Sequence, residues 1–234
     1  MLKTGSLPGV VRCGSPERHM TCGLLMRMTG GSTGAHMITL YDHPLSLNCY
    51  KVRLLLSILQ VEYHRETIDL RKGEHKRAGF VAMNPFAQVP VLVEGSLVLR
   101  DSHAILVWIA RKYGDDPWMP RDPDQEALVN AWLAAAAFEL RLGPYDARLA
   151  KLAPAFCVNA GTALERTAIA LKLYDDRLAN RQWIALEQPT VADIAAFPAI
   201  SQCVEGDVSL APYPAATAWL DRVRGLPGFI GLLG

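Results

Sequence analysis

The sequence predicts an α/β domain followed by an all-helical domain. Between residues 38 and 113, short apolar runs bounded by turn residues alternate with helical repeats. Beyond residue 123 the strand signals fade and only helical repeats remain. Between the two, Asp115 to Pro123 holds three prolines and four charged residues, the composition of a linker.

The first strand is expected over Ile38 to Tyr41, stopped by Asp42-His43-Pro44. Val52, Leu55, Leu56 and Leu59 repeat at i, i+3, i+4 and i+7, which predicts an amphipathic helix. A second strand fits Tyr63 to Leu70. Val91 to Val93 and Leu97 to Leu99 read as a β-hairpin, with Gly95 supplying the turn geometry. Asp101 or Ser102 then caps a helix that carries Ile105, Trp108 and Ile109 on one face. Arg111 and Lys112 suit its last turn and Gly114 its end. The order strand, helix, strand, loop, hairpin, helix describes a small unit of about 80 residues.

In the second half, three helical stripes are expected. One comprises Val129, Leu133, Ala136 and Leu140; another Leu164, Ala168, Leu171 and Leu178; a third Ala216, Trp219, Leu220 and Val223. Thr190 and Asp193 form a capping box, with Asp where Glu or Gln is usual, and are read as structural.

Residues 1–36 differ from the rest. They are rich in Gly, Ser and Thr and lack sustained periodicity. They are expected to be an N-terminal extension, disordered or a start-site artefact with Met37 as the natural first residue. A cloning remnant over Gly30 to Met37 and a transit peptide are the other readings. The expected division is thus 1–36, then an α/β domain at 37–114, a linker at 115–123 and a helical domain at 124–234.

Composition narrows the function classes. Half of the residues are hydrophobic and 20% are charged, an ordinary soluble mixture. The longest apolar run, Ala131 to Phe138, is far short of the roughly 20 residues that a membrane span needs. A net charge of +1 gives no general attraction to nucleic acid or to an anionic membrane. The five cysteines are scattered without a Cys-x-x-Cys pair, which argues against a disulfide framework or a structural zinc and for a reducing compartment.

The most informative run is Asn84-Pro85-Phe86-Ala87-Gln88-Val89-Pro90. Pro90 sits at the entry of the strand Val91 to Val93, where a missing backbone donor is tolerated. A proline there can be cis, turning the backbone before it toward a ligand. Proline before a strand is common, so spacing alone supports little more.

Four segments in register add a resemblance. His43-Pro44-Leu45-Ser46, Gly73-Glu74-His75-Lys76, Asn84 to Pro90 and Asp101-Ser102 resemble the glutathione transferases, most closely the phi class and its bacterial serine-type relatives. The likeness covers Ile38 to Tyr113, with support from Thr190-Val191-Ala192-Asp193 in the helical half. It implies a thioredoxin-like first domain, glutathione as co-substrate without a metal, a small hydrophobic electrophile, a homodimer, a detoxification role and a cytoplasmic location.

Residue by residue, the resemblance implies that Val89, before cis-Pro90, pairs its backbone with the cysteinyl part of glutathione. Gln88 would hold the γ-glutamyl or neighbouring backbone. Asp101 would face the γ-glutamyl ammonium and Ser102 its carboxylate, and His75 and Lys76 the glycyl carboxylate. Asp101 is one methylene shorter than the Glu frequent in the family, so its reach is shorter. Each has a plainer rival: Ser102 as a helix cap, His75 and Lys76 as a solvated loop, Gln88 as a local backbone partner.

Ser46 is the residue expected to act on the thiol. A hydroxyl donating to sulfur favours the thiolate, and the start of the following helix adds positive potential. Lowering the thiol pKa by two units needs only about 2.7 kcal/mol. Asn48 is an alternative donor, and Cys49 an alternative that would form a mixed disulfide. Cysteine-type relatives carry their cysteine where Asn48 falls, and one position along a helix turns a side chain by about 100°. Trp132, Ala136 and Tyr145 are candidates for the acceptor site. Phe86 stands where some classes insert an aromatic key into the partner subunit. The competing functions are a thiol reductase or isomerase using Cys49, and a non-catalytic binding module of the same fold.

Overall fold

Four strands form one mixed sheet in the order β2-β1-β3-β4. The computed structural model describes residues 37–234, and the extension expected at 1–36 lies outside them. The strands are β1 (Ile38–Asp42), β2 (Tyr63–Thr67), β3 (Val91–Glu94) and β4 (Leu97–Arg100). β1 pairs in parallel with β2, whereas β3 runs antiparallel to both β1 and β4. β1 alternates buried and half-buried residues, so Ile38 and Leu40 enter the core with Leu92 of β3. β2 ends three residues earlier than its apolar pattern suggests. There Ile68 N–H donates to Asp42 O at 2.8 Å, and the Asp69 carboxylate accepts from Arg71 and Lys72 N–H, a turn that closes the strand.

Three helices complete this thioredoxin-like half: α1 (Leu47–Ile58), α2 (Ala78–Met83) and α3 (Ser102–Tyr113). The repeat Val52, Leu55, Leu56 correctly marks α1 as a helix, but the helix is not half-exposed. It is packed by α3 on one side and, on the other, by α7 (Val191–Ser201), so Leu47 and every residue from Cys49 to Leu56 are buried. Lys51 and Arg53, polar in the sequence pattern, are therefore inside the protein.

The helical half is built from α4 (Pro123–Leu140), α5 (Asp146–Leu152), α6 (Ala160–Leu178), α7 and α8 (Pro214–Arg224). A π turn at Arg141–Tyr145 joins α4 to α5 and accommodates Pro144, which has no N–H to offer a regular helix. The stripes on α4 and α8 are buried as expected. The stripe on α6 is shifted: Ala163, Thr167, Ala170, Leu171, Tyr174 and Leu178 are buried, while Leu164 and Ala168 are exposed. Small residues win that face because the π turn comes so close. A Cβ on Gly143 would lie 3.1 Å from the Arg166 and Thr167 backbone.

Thr190 and Asp193 do form a capping box at α7. Asp193 is fully buried and also receives Ile184 N–H and Trp219 Nε1–H. One hydrophobic core runs from β1, α1 and α3 through α4, α7 and α8, so the two halves share their interior. A smaller cluster of Ile68, Phe80 and Val91 lies on the other side of the sheet. No helix among the described residues is long and apolar enough to cross a membrane.

Candidate active site

The strand register gathers the predicted site at one end of the sheet. Tyr41, Val91 and Arg100 share a row across β1, β3 and β4. One or a few residues beyond that row lie the Ser46 loop, Pro90 and Asp101.

Ser46 caps α1 with extended backbone angles, and its Oγ accepts from Cys49 N–H at 3.4 Å. Both halves of the molecule hold its loop. From α1, Arg53 Nη2 donates to Pro44 O at 3.0 Å; from α5, Arg148 Nη1 donates to Leu45 O at 3.3 Å and its Nε to Glu205. The Tyr145 phenol, delivered by the π turn, lies close enough to Ser46 for the two side chains to interact. Burial raises the Tyr145 pKa, so this phenol keeps its proton at neutral pH. The Arg141 guanidinium, paired with Asp146, lies 4.8 Å over the Tyr145 ring. Two hydroxyls thus meet at the N-terminus of α1.

Cys49 points the other way. It is fully buried, and its Sγ accepts from His43 N–H at 3.4 Å. Burial first, and the nearby Asp42 charge second, push its thiol well above the ordinary range. Cys49 is thus a core thiol without the thiolate character that a mixed disulfide requires. Asn48 is half-buried beside the same helix end.

The Val89–Pro90 bond is cis, and Ala87 adopts φ +51°. Buried Asn84 shapes the turn: its Nδ2 donates to Gln88 O at 2.7 Å and its Oδ1 accepts from Phe86 N–H at 3.1 Å. The Gln88 side chain is exposed, Val89 half-buried and Pro90 buried. Asp101, not Ser102, is the cap of α3, with Oδ1 accepting from His103 and Ala104 N–H at 2.9 and 3.0 Å. Ser102 is buried as the first helical residue. His75 and Lys76 belong to a single 3-10 turn at Glu74–Lys76. Lys76 is exposed, and half-buried His75 carries a buried Nδ1 without a hydrogen-bond partner.

Of the three acceptor-site candidates, only Tyr145 reaches the Ser46 loop. Trp132 packs edge-on against Tyr174 at 5.1 Å under Arg177, and Ala136 is core. Phe86 is 63% exposed, with the Arg100 guanidinium 4.5 Å over its ring. Pattern reading passed over Lys51 and His103. Lys51 is buried on α1, with Nζ 3.0 Å from His103 Nε2 on α3. Its signal was the i, i+4 spacing of Leu47, Lys51 and Leu55, which places it on a buried row. Among the described residues, no group of three or more His, Cys, Asp or Glu is placed to hold a metal ion.

A thioredoxin-like sheet with a cis-proline loop, sharing a core with a helical half, defines the class of protein by its fold. Residues 36–111 match the glutathione S-transferase N-terminal domain and residues 159–227 the glutathione S-transferase C-terminal domain. The chain is 30% identical over 198 residues to glutathione S-transferase 2 of Anopheles gambiae, covering 82% of this chain and 93% of that one. It is also 30% identical over 208 residues to glutathione S-transferase 3 of Zea mays, covering 82% and 91%. Among solved structures, a possible glutathione S-transferase from Rhodopseudomonas palustris superposes with a TM-score of 0.79 at 29% identity, over 85% of this chain and 98% of that one. A Drosophila mojavensis homologue with bound glutathione gives 0.76 at 26% identity, over 82% and 89%. The chain belongs to the glutathione S-transferase family and is a glutathione transferase.

Proposed function

We propose that this transferase holds glutathione across the end of its sheet and that the Ser46 hydroxyl donates to the glutathione sulfur, keeping it as thiolate. The observation that carries this reading is the position of Ser46 at the N-terminus of α1, in register with the Val89–Pro90 loop and the start of α3. The Val89 backbone pairs with the cysteinyl unit, and Gln88 lies alongside. Ser102 receives the γ-glutamyl carboxylate and Asp101 its ammonium; Asp101 Oδ1 is occupied by the helix cap, leaving Oδ2 for that contact. His75 and Lys76 face the glycyl carboxylate. The sulfur attacks a hydrophobic electrophile: a C–S bond forms, the carbon–leaving-group bond breaks, and the thiol proton passes to solvent.

Asn48 is the remaining alternative donor to sulfur. Burial of Cys49 disfavours the reductase reading, and an unbroken set of Ser46, Gln88, Asp101 and Ser102 disfavours a non-catalytic binding module. Residues 37–114 are read as the glutathione-binding domain, 115–123 as the linker and 124–234 as the helical domain. A cytoplasmic detoxification enzyme fits scattered cysteines of which the described ones, Cys49, Cys157 and Cys203, are free, because glutathione is kept reduced in that compartment. A homodimer follows from the family resemblance, with exposed Phe86 as the side chain through which it is tested.

Conjugation of glutathione to an activated aryl chloride tests the reading, with Ser46→Ala, Asn48→Ala and Cys49→Ala beside the parent. Loss in Ser46→Ala alone is the expected result. Full activity in Ser46→Ala with loss in Asn48→Ala moves the role to Asn48. Turnover restricted to mixed disulfides and lost in Cys49→Ala establishes the reductase instead, and glutathione binding without any turnover establishes the binding module.

A further inference from the structure

A strap of chain grips α1. Residues 226–234, which follow α8, run against Tyr50, Arg53 and Ser57, three α1 side chains on one face at i, i+3 and i+7. The Tyr50 hydroxyl donates to Ile230 O at 2.7 Å and the Ser57 hydroxyl to Gly228 O at 2.7 Å. Arg53 donates through Nη2 to Leu232 O at 2.7 Å and through Nη1 to Gly234 O at 3.1 Å. Phe229 packs edge-on against Phe197 of α7 with ring centroids 5.5 Å apart, and Leu226, Ile230 and Leu232 rest on the main core. Gly228 sets how closely the strap approaches. It adopts φ +77°, and a Cβ there would lie 2.6 Å from Ser57 O.

The Arg53 Nη2 that holds Leu232 O also donates to Pro44 O at 3.0 Å, two residues before Ser46. One nitrogen thus joins the strap to the Ser46 loop. Arg53 does this at the expense of its ion pair. Its buried Nε stays 3.6 Å from Asp42 Oδ1 without a hydrogen-bond partner among the described residues, and Asp42 takes its close partner from Arg65. The guanidinium is fully buried, and stability alone does not call for it, because apolar residues of similar volume often serve as well as a buried ion pair. What its rigid fork supplies is a fixed spacing between backbone carbonyls.

We infer that the strap and Arg53 are positioning elements for the transfer reaction: residues 228–234 set Arg53, Arg53 sets Pro44 O, and Pro44 sets where Ser46 Oγ meets the glutathione sulfur. The inference rests on the Ser46 reading above. In this scheme the strap acts only through Ser46. A hydrogen bond weakens steeply as its geometry is lost, so a loop released from Arg53 leaves a poorer donor at the sulfur. The contacts assigned to Val89, Asp101 and Ser102 belong to other elements and are spared.

The test uses Gly228→Ala, whose new Cβ must push the strap off α1 while Arg53, Pro44 and Ser46 stay chemically unchanged. The full chain carrying it is compared with the parent, with Ser46→Ala and with the double variant. Thiolate absorbance against pH gives the thiol pKa of bound glutathione, and calorimetry gives the Kd of S-methylglutathione, which has no free thiol. We expect Gly228→Ala to raise the thiol pKa by about one unit, which lowers kcat/KM about tenfold below that pKa. Its affinity for S-methylglutathione should stay within about twofold of the parent. The double variant should show the thiol pKa of Ser46→Ala alone, because the strap works through that hydroxyl. An unchanged pKa in Gly228→Ala beside a raised one in Ser46→Ala overturns the inference and leaves the Ser46 reading standing. An equal further rise in the double variant, or a loss of S-methylglutathione affinity that matches the loss of activity, makes the strap merely structural and also overturns it. An unchanged pKa in Ser46→Ala overturns the Ser46 reading itself, and the inference with it. Should Gly228→Ala fail to fold, Arg53→Lys takes its place. It keeps a charge beside Asp42 but not the fork that joins Leu232 O to Pro44 O, so it must raise the thiol pKa, and an unchanged value overturns the inference.

Discussion

Ser46 Oγ accepts one long contact from Cys49 N–H and lies beside the Tyr145 phenol, which competes with a ligand for its proton. On the proposed mechanism, Ser46→Ala removes one donor to sulfur and leaves the α1 N-terminus in place. The pKa of bound glutathione should rise by about one to two units, and kcat/KM for an aryl chloride should fall on the order of 10–100-fold. Thiolate absorbance of the complex against pH checks the first effect, and steady-state rates check the second. Tyr145→Phe tests the second hydroxyl; it removes the phenol proton while preserving the ring beneath Arg141. A different residue-level prediction concerns the thiols. Cys157 is exposed, whereas Cys49 and Cys203 are buried with raised pKa values. Native alkylation followed by peptide mapping should label Cys157 and spare Cys49 and Cys203 until the chain is unfolded.

At the scale of elements, α1 is the member that most depends on its surroundings. Arg53 is fully buried and donates to Pro44 O, Leu232 O and Gly234 O while facing Asp42. It clamps the Ser46 loop, residues 232 and 234 and the end of β1 to one side chain. Arg53→Met should cost about 3 kcal/mol, reduced from the range for breaking a buried pair because Arg65 still pairs with Asp42. Urea unfolding measures that loss, and a concurrent fall in activity measures the loosening of the Ser46 loop. Asp193→Ala at the start of α7 should be at least as damaging. It leaves the buried N–H groups of Ile184, Thr190 and Trp219 without their acceptor, at about 1–3 kcal/mol each.

For the whole molecule, a shared core and the exposed Phe86 ring set the expectations. Because α1 and α3 pack into the same core as α4, α7 and α8, the two halves should unfold in one transition, with fluorescence and circular dichroism coinciding. A homodimer should sediment at about twice 25.7 kDa. Phe86→Ser should shift that equilibrium toward monomer if the exposed ring seats in the partner, and sedimentation velocity reads the shift directly. An unchanged dimer would return Phe86 to a local contact with Arg100.

What the sequence by itself determined was local and periodic. The succession of strands and helices in the first half, the hairpin at Gly95, the Thr190–Asp193 box and the proline loop before β3 are each written in a few neighbouring residues, where turn chemistry and periodicity act. Ser46, Pro90 and Asp101-Ser102 were legible for the same reason, as short segments in register. Tertiary structure decided which faces were buried. Only the packing of α3 and α7 on both sides of α1 puts Lys51 and Arg53 inside, and only the close approach of the π turn selects Ala163, Thr167 and Ala170 as the inner face of α6. The same packing turns Cys49 into the core and brings Tyr145, 99 positions away in the chain, to the Ser46 hydroxyl. Periodicity reports that a helix has an apolar side; it carries no information about a second neighbour on the polar side. That second neighbour converts two sequence-pattern surface cations, Lys51 and Arg53, into buried groups.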